Sequence, residues 1–247
     1  MTPTFFAALS AVFGAALGSY LNVVLFRFGT GKSSLRGRSQ CQHCKTALRA
    51  GDLVPVFSYV FLRGKCRYCR SHISFQYPVV EIAAAVLALL IYLQHPGFLV
   101  FSFWLLVWMI LLFIAAYDTR YKIISASAFL PLGALALGFA AMQGTFFSGI
   151  MLSAPLFVAS LLSRGRAMGF GDGFLELSLG WLLGLSAGLT ALMLAFWTGG
   201  VVGIALLLSQ KRYTMKSEVP LAPFLILGAA AVHFFHVDFF PSLPSLF

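Results

Sequence analysis

The sequence predicts an all-α, polytopic membrane protein of about eight transmembrane helices, carrying one small cytoplasmic zinc-ribbon-like insertion. Three observations carry this prediction: the composition, a run of eight apolar segments, and cations confined to one side of them. Of 247 residues, 60% are hydrophobic and 10% charged, against about 45–50% and about 25% in soluble domains. A soluble globular enzyme is excluded. Eight spans of about 20 residues use about 160 positions, which leaves room for loops and one modest polar unit.

Cutting the chain at polar or turn-forming interruptions places the apolar segments near 4–26, 77–94, 98–116, 125–142, 146–163, 172–188, 189–208 and 221–237. The connections between them alternate in charge. Ten of the seventeen cations lie between the first two segments, from Arg27 to Arg70. An uncharged His95-Pro96-Gly97 turn follows, then Arg120 with Lys122, then uncharged Gln143-Gly144-Thr145. Arg164 with Arg166, a bare turn near Gly188, the Lys211 to Lys216 loop and a tail without Lys or Arg complete the alternation. By the positive-inside rule that one side is the cytoplasm, with both termini outside. No cation precedes the first segment, so it reads as an anchor rather than a cleaved signal. The chain therefore divides into a first transmembrane helix (1–26), a basic cytoplasmic metal-binding domain (27–76) and a helical membrane core (77–247).

All four cysteines fall in the insertion, as Cys41-Gln42-His43-Cys44 and Cys66-Arg67-Tyr68-Cys69. Two thiolates at C-x-x-C spacing face one ion from a single turn, and two such turns close a tetrahedral site. A polar loop of this size with few apolar residues also needs such a staple to fold. Zinc held by Cys41, Cys44, Cys66 and Cys69 is the expectation; a cytoplasmic location disfavours disulfides, and His43 and His72 are not needed as ligands. Nucleic acid is not expected as a partner, because the loop is tethered to the membrane at both ends and its cations answer to orientation and anionic lipid. Leu53 to Leu62, apolar and containing Pro55, reads as an interfacial piece.

Only seven acids occur. Asp118 closes the third segment and Asp172 opens the sixth after Gly169-Phe170-Gly171, which sets both at the cytoplasmic edge at matched depth. Ionisable groups there mark functional sites. Two such carboxyls can share a proton, one activating water while the other donates to the scissile carbonyl or leaving amine. Taken singly, each aspartate is equally well read as a helix-end polar residue or cap. Gly169 and Gly171 would let a substrate backbone approach, and Glu176, one turn beyond Asp172, shares its helix face. Asn22 and Glu81 are expected to pair with a loop cation such as Arg27. Asp52 and Glu218 read as solvated, Asp238 as an outer residue, and Gly180, Gly184 and Gly188 as a close-packing stripe.

In order, the chain holds Gly18, Ser19, Asn22 and Arg27, the paired knuckles, Ser71-His72-Ile73-Ser74-Phe75-Gln76-Tyr77-Pro78-Val79-Val80-Glu81, Asp118, Gly169-Phe170-Gly171-Asp172 and Val219-Pro220-Leu221-Ala222-Pro223-Phe224. This ordered set resembles the type IV prepilin peptidases, the G-x-G-D class of aspartic membrane proteases. The resemblance implies an endopeptidase of the bacterial inner membrane that removes the leader of prepilin or pseudopilin substrates at the cytoplasmic face. In many members N-methylation of the new terminus with S-adenosylmethionine follows. It implies Asp118 and Asp172 as the catalytic pair and the cysteines as zinc ligands. Two positions depart from the family pattern: Phe174 stands where a Lys is common, and Ser125-Ala126 where Pro-Asp is usual. No G-x-G-x-x-G loop occurs to place the methyl donor. Substrate identity and oligomeric state are not readable. A proton or cation transporter and an inactive scaffold are the competing classes; the former would place acids at the bilayer midplane.

Overall fold

A computed structural model describes residues 2–31, 33–165, 168–209 and 220–241. Among them are nine helices: α1 (Pro3–Arg27), α2 (Phe57–Phe61), α3 (Gln76–Gln94), α4 (Phe98–Tyr121), α5 (Ala126–Gln143), α6 (Phe146–Leu162), α7 (Phe170–Leu183), α8 (Leu185–Ser209) and α9 (Ala222–Phe235). The only extended pairing among the described residues is two isolated bridges. All helices but α2 coincide with the eight apolar segments. Five of them, α1, α3, α4, α5 and α8, are long and apolar enough to cross a membrane, and α6 and α9 are shorter apolar helices. The chain is thus a multi-pass helical membrane protein. Lys32, Arg166 and the Lys211 to Lys216 loop with Glu218 lie outside the described residues.

One boundary differs from the sequence reading. The break between α7 and α8 falls at Gly184, and Gly188 lies inside α8. Gly184 takes φ +81° while its N–H still reaches Gly180 O at 3.0 Å. A left-handed residue ends a helix, and glycine takes that conformation without a Cβ penalty.

The chain folds as two compact units, Met1–Phe113 and Ile114–Phe247. In the first, α1 and α3 run antiparallel along a seam of small residues. A Cβ on Gly18 would lie 2.8 Å from Ala84 Cβ, and one on Gly14 2.6 Å from Ala88 Cβ. Without a hydrophobic drive between helices in lipid, this close backbone approach supplies the dispersion contact that joins them. Ser10, Gly14, Gly18, Asn22 and Leu25 form the buried stripe of α1. Below the seam Asn22 Nδ2 donates to Tyr77 O at 3.1 Å. Arg27 turns the other way. Its guanidinium donates to the carbonyls of Ser33, Arg36 and Arg38 at 2.8, 2.8 and 3.1 Å. The expected pairing of Arg27 with Asn22 or Glu81 is absent because loop carbonyls take its donors.

In the second unit α7 is the central helix, packed on α5, α6, α8 and α9. Glycine again sets the approach: a Cβ on Gly180 would come within 2.7 Å of Gly149 Cα. Gly149 itself is covered by Trp181, whose Nε1 donates to Phe146 O at 2.9 Å. Gly188 rests on Leu152. The close-packing reading thus holds for Gly180 and Gly188, while Gly184 serves the turn. Beyond α9, Asp238 accepts hydrogen bonds from Ser186 and Thr190 in the first turns of α8. It thereby clasps the tail to the start of α8.

Candidate active site and cysteine cluster

The two knuckles of the insertion repeat one local design. Cys41 N–H donates to Thr46 O at 3.0 Å and Lys45 N–H to Cys41 O at 3.0 Å; in the second knuckle Cys66 N–H reaches Ser71 O at 2.8 Å and Arg70 N–H Cys66 O at 3.0 Å. Each is closed by one antiparallel bridge, Gln40 with Ala47 and Lys65 with His72. The residue after the second cysteine is left-handed in both, Lys45 at φ +57° and Arg70 at φ +60°. This turn aims both thiols of a knuckle the same way.

The four Sγ atoms lie within 4.8 Å of one another. A tetrahedral ion with bonds of about 2.3 Å sets its sulfurs about 3.8 Å apart. Cys41 and Cys69 are separated by 3.8 Å, and no disulfide links any of the four. The donor set therefore fits a metal ion. Burial works to raise the Cys41 thiol, but the backbone N–H groups of Cys44 and His43 outweigh it and hold the group at about 6. Cys69 is lowered, chiefly by the Ser71 hydroxyl. Neither His43 nor His72 belongs to the cluster.

Asp52 is not a freely solvated acid. Its side chain is 4% exposed and meets Arg67 Nε at 2.7 Å. It also accepts from Tyr68 Oη and from Arg49 N–H, each at 3.1 Å. Burial would raise its carboxyl, but these donors hold it below the usual carboxylate range. Asp52 thereby ties the turn before α2 to the second knuckle. The sequence signal was present, since it is the only acid in a strongly basic stretch.

In the second unit Asp118 lies in the last turn of α4 and Asp172 in the first turn of α7. Both meet helix N-termini. Asp172 Oδ2 accepts from Gly169 N–H at 3.1 Å, in front of α7. The Asp118 carboxyl receives the N–H of Ala222, the first residue of α9. Unsatisfied N–H groups and the positive end of the macrodipole favour a carboxylate at each place. The two carboxyls are near enough for the charge of one to act on the other. Asp118 is 5% exposed, and its Oδ2 is buried without a partner. Ala222 was not singled out from the sequence, although Pro223 behind it marks a helix start.

The neighbouring residues divide. A Cβ on Gly169 would lie 3.4 Å from Asp172 Oδ2, an ordinary contact, whereas one on Gly171 would lie 2.7 Å from Ile124 Cβ. Gly171 therefore admits the chain's own Ile124. Glu176 is 1% exposed, with both oxygens unpartnered. Phe174 stacks on Phe129 at 4.8 Å and meets Phe157 edge-on at 5.1 Å. Where a Lys is common in the resembling family, this chain has an aromatic wall. Ser125 is the N-cap position of α5, its hydroxyl paired with that of Ser127 at 2.9 Å.

Comparison with known proteins shows which family the chain falls in. Residues 12–95 match the bacterial peptidase A24 N-terminal domain, and residues 103–204 match the type IV leader peptidase family. Among curated relatives, a protein named prepilin leader peptidase/N-methyltransferase from Burkholderia pseudomallei (strain 1026b) is 34% identical, over 94% of this chain and 86% of its own length. Proteins of the same name from Myxococcus xanthus (strain DK1622) and Aeromonas hydrophila are 32% and 28% identical, over 87% and 92% of this chain and 69% and 89% of their own. No solved structure matches. With both halves of the chain matched in order and one relative similar along almost its whole length, the chain belongs to the type IV leader peptidase family.

Proposed function

We propose that this chain is an intramembrane aspartic endopeptidase that removes the leader peptide of type IV prepilin-like proteins at the cytoplasmic face, with N-methylation of the new terminus as a second activity. The observation that carries it is the placement of the Asp118 and Asp172 carboxyls at the N-termini of α9 and α7, two helices that pack on one another. Two carboxyls placed together can share a proton. In the reaction one of them, ionised, takes a proton from water, and the water oxygen bonds to the scissile carbonyl carbon. The protonated partner donates to the carbonyl oxygen, giving a gem-diol; the first carboxyl then passes the proton it took from water to the leaving nitrogen as the C–N bond breaks, while the partner takes a proton back from a gem-diol hydroxyl. Leader and mature chain are released as an acid and an amine, and the pair is returned to its starting charge.

Gly169 is assigned to the substrate backbone, and Phe129, Phe157 and Phe174 to an apolar side chain beside the cut. Gly171 and Glu176 support the position of Asp172 from within α7. Residues 27–76 form the metal-binding domain, with zinc on Cys41, Cys44, Cys66 and Cys69; residues 1–26 and 77–247 form the membrane part, the latter holding the catalytic core. A zinc ion bound there supplies a structural crosslink, and the reaction takes no group from it. The methyl group comes from S-adenosylmethionine. Both termini lie outside the inner membrane of a bacterium, as every cation in the sequence falls on one side of the segments.

The test is to mix the purified protein in detergent with a prepilin and weigh the product. Loss of the leader, followed by a gain of one methyl group on adding S-adenosylmethionine, is expected. An uncut prepilin in the presence of metal-replete protein overturns the reading.

A further inference from the structure

The loop between the two knuckles does not hang free below α3. Glu81, in the second turn of α3 and 7% exposed, accepts the backbone N–H of Val56 through Oε2 at 2.7 Å. Val56 pays for this geometry with φ +62° and ψ −51°, and Phe57 N–H closes back on Pro55 O at 2.6 Å. That is a γ-turn with positive central φ, strained for any L residue and most of all for a β-branched one. Strain of this kind persists where surrounding contacts hold it. Here the contact is the carboxylate of a spanning helix.

The pin sets a depth. Glu81 follows Gln76 by five positions, which at 1.5 Å per residue is about 7.5 Å along the axis from the start of α3. Val56 therefore lies beside the second turn of α3, and Tyr59 of α2 meets Phe75 at the N-cap of that helix at 6.3 Å between ring centroids. From that level Phe57, Val60 and Phe61 are 65%, 65% and 82% exposed, and Phe75 is 70% exposed. Tyr59 faces inward, against Phe75 and Gly64. Exposed Arg63, Lys65 and Arg70 follow immediately. Across residues 27–76 the sequence holds ten cations and one acid, and that acid, Asp52, is paired with Arg67. Aromatic side chains beside an unbalanced set of cations, held at the edge of a span, match the headgroup region of an anionic bilayer.

We infer that residues 53–61 with Phe75 form a strap that inserts its aromatic face at the headgroup–acyl boundary of an anionic membrane, held at that depth by the Val56–Glu81 hydrogen bond and seated by Arg63, Lys65 and Arg70 on lipid phosphates. The strap anchors the cysteine-rich unit along the membrane surface. It is independent of which reaction the aspartates perform.

The experiment uses the full-length, metal-loaded protein in phospholipid nanodiscs with a photoreactive benzoylphenylalanine replacing Phe57 or Phe61. Irradiation should give lipid adducts as the main product at both positions. Adducts to a second protein copy, or none because the group faces water, would overturn the insertion. Replacing phosphatidylglycerol with phosphatidylcholine should lower the lipid adduct about fivefold or more, since each seated cation contributes about 1 kcal/mol. The combined Arg63→Gln, Lys65→Gln variant should lose most of that lipid dependence. An unchanged wild-type yield in phosphatidylcholine would remove the electrostatic part of the inference. Glu81→Ala should cut the Phe61 adduct while metal content stays whole, and Val56→Gly, which keeps the N–H and relaxes φ, should preserve it. If Glu81→Ala left the adduct yield unchanged, the pin would be wrong; if that variant did not fold, loss of the adduct in Val56→Gly would serve as the same refutation.

Discussion

Asp118 and Asp172 act as one unit if they share a proton, so their losses should not add. Asp118→Asn and Asp172→Asn are each expected to abolish prepilin cleavage with the fold and metal content intact, and the double variant to be no worse than either single one. Product mass in matched preparations checks this; normal cleavage by either single variant would contradict it. Glu176→Gln should keep substantial activity if Glu176 only tunes the local potential; loss of cleavage would make it a third member of the site. Asp52 makes a separate prediction about pH. Its folded value is depressed, so its contribution is fully present above the unfolded value of about 3.9 and is lost as pH falls through the lower folded value. Wild type should therefore resist chelator-driven metal release better than Asp52→Asn at neutral pH, and the gap should close only in strong acid. Both aspartates of the pair were legible as candidates because acids are scarce in this chain. Their partners were not: the Ala222 N–H on Asp118 and the Arg67 guanidinium on Asp52 come from segments whose approach no local pattern specifies.

At the scale of elements, the knuckles and the glycine seams set the architecture. The C-x-x-C spacing announced the cysteine cluster without the structure, since two thiols on one turn leave little else to do in a polar loop. Cys41→Ser or Cys66→Ser should lower both metal content and yield before altering the chemistry of any protein that remains folded, as losing one thiolate opens a tetrahedral site. Metal analysis by mass spectrometry reads this directly. The α1–α3 seam was legible in principle, because Gly14 and Gly18 stand four residues apart and face Ala84 and Ala88, but a small-residue spacing alone does not name its partner helix. Gly18→Val should separate α1 from α3 and destabilise the first unit by more than about 1–3 kcal/mol, the usual cost of overpacking. The clash at Gly18 is with backbone as well as side chain, the Cα of Glu81 lying 2.9 Å from the added Cβ. Thermal unfolding in detergent measures it. The α7–α8 break is readable from sequence only to within the Gly184 to Gly188 stretch, and the backbone shows that Gly184 is the residue that takes positive φ.

Across the whole molecule, orientation is the most exposed expectation. A cysteine placed in the Gln143 to Thr145 turn should react with an impermeant maleimide from outside, and one at Gly31 only from inside; reaction of both from one side would sink the assigned topology. The alternation of charged and bare connections made the order of the eight segments readable, since cations resist transfer across a bilayer. Their lengths were not, because helix ends depend on caps and tertiary contacts. Those lengths have a consequence for catalysis. Both α7 and α9 contain 14 residues, about 21 Å at 1.5 Å per residue, against a hydrocarbon core of about 30 Å. Helices too short for the slab make the lipid around them thin or let water follow their ends inward. Asp172 sits in the first turn of α7, and Asp118, from the last turn of α4, meets the first residue of α9. On the proposed reading, mismatch at these two helices would thin the leaflet beside the carboxyls and shorten the path by which hydrolytic water reaches them.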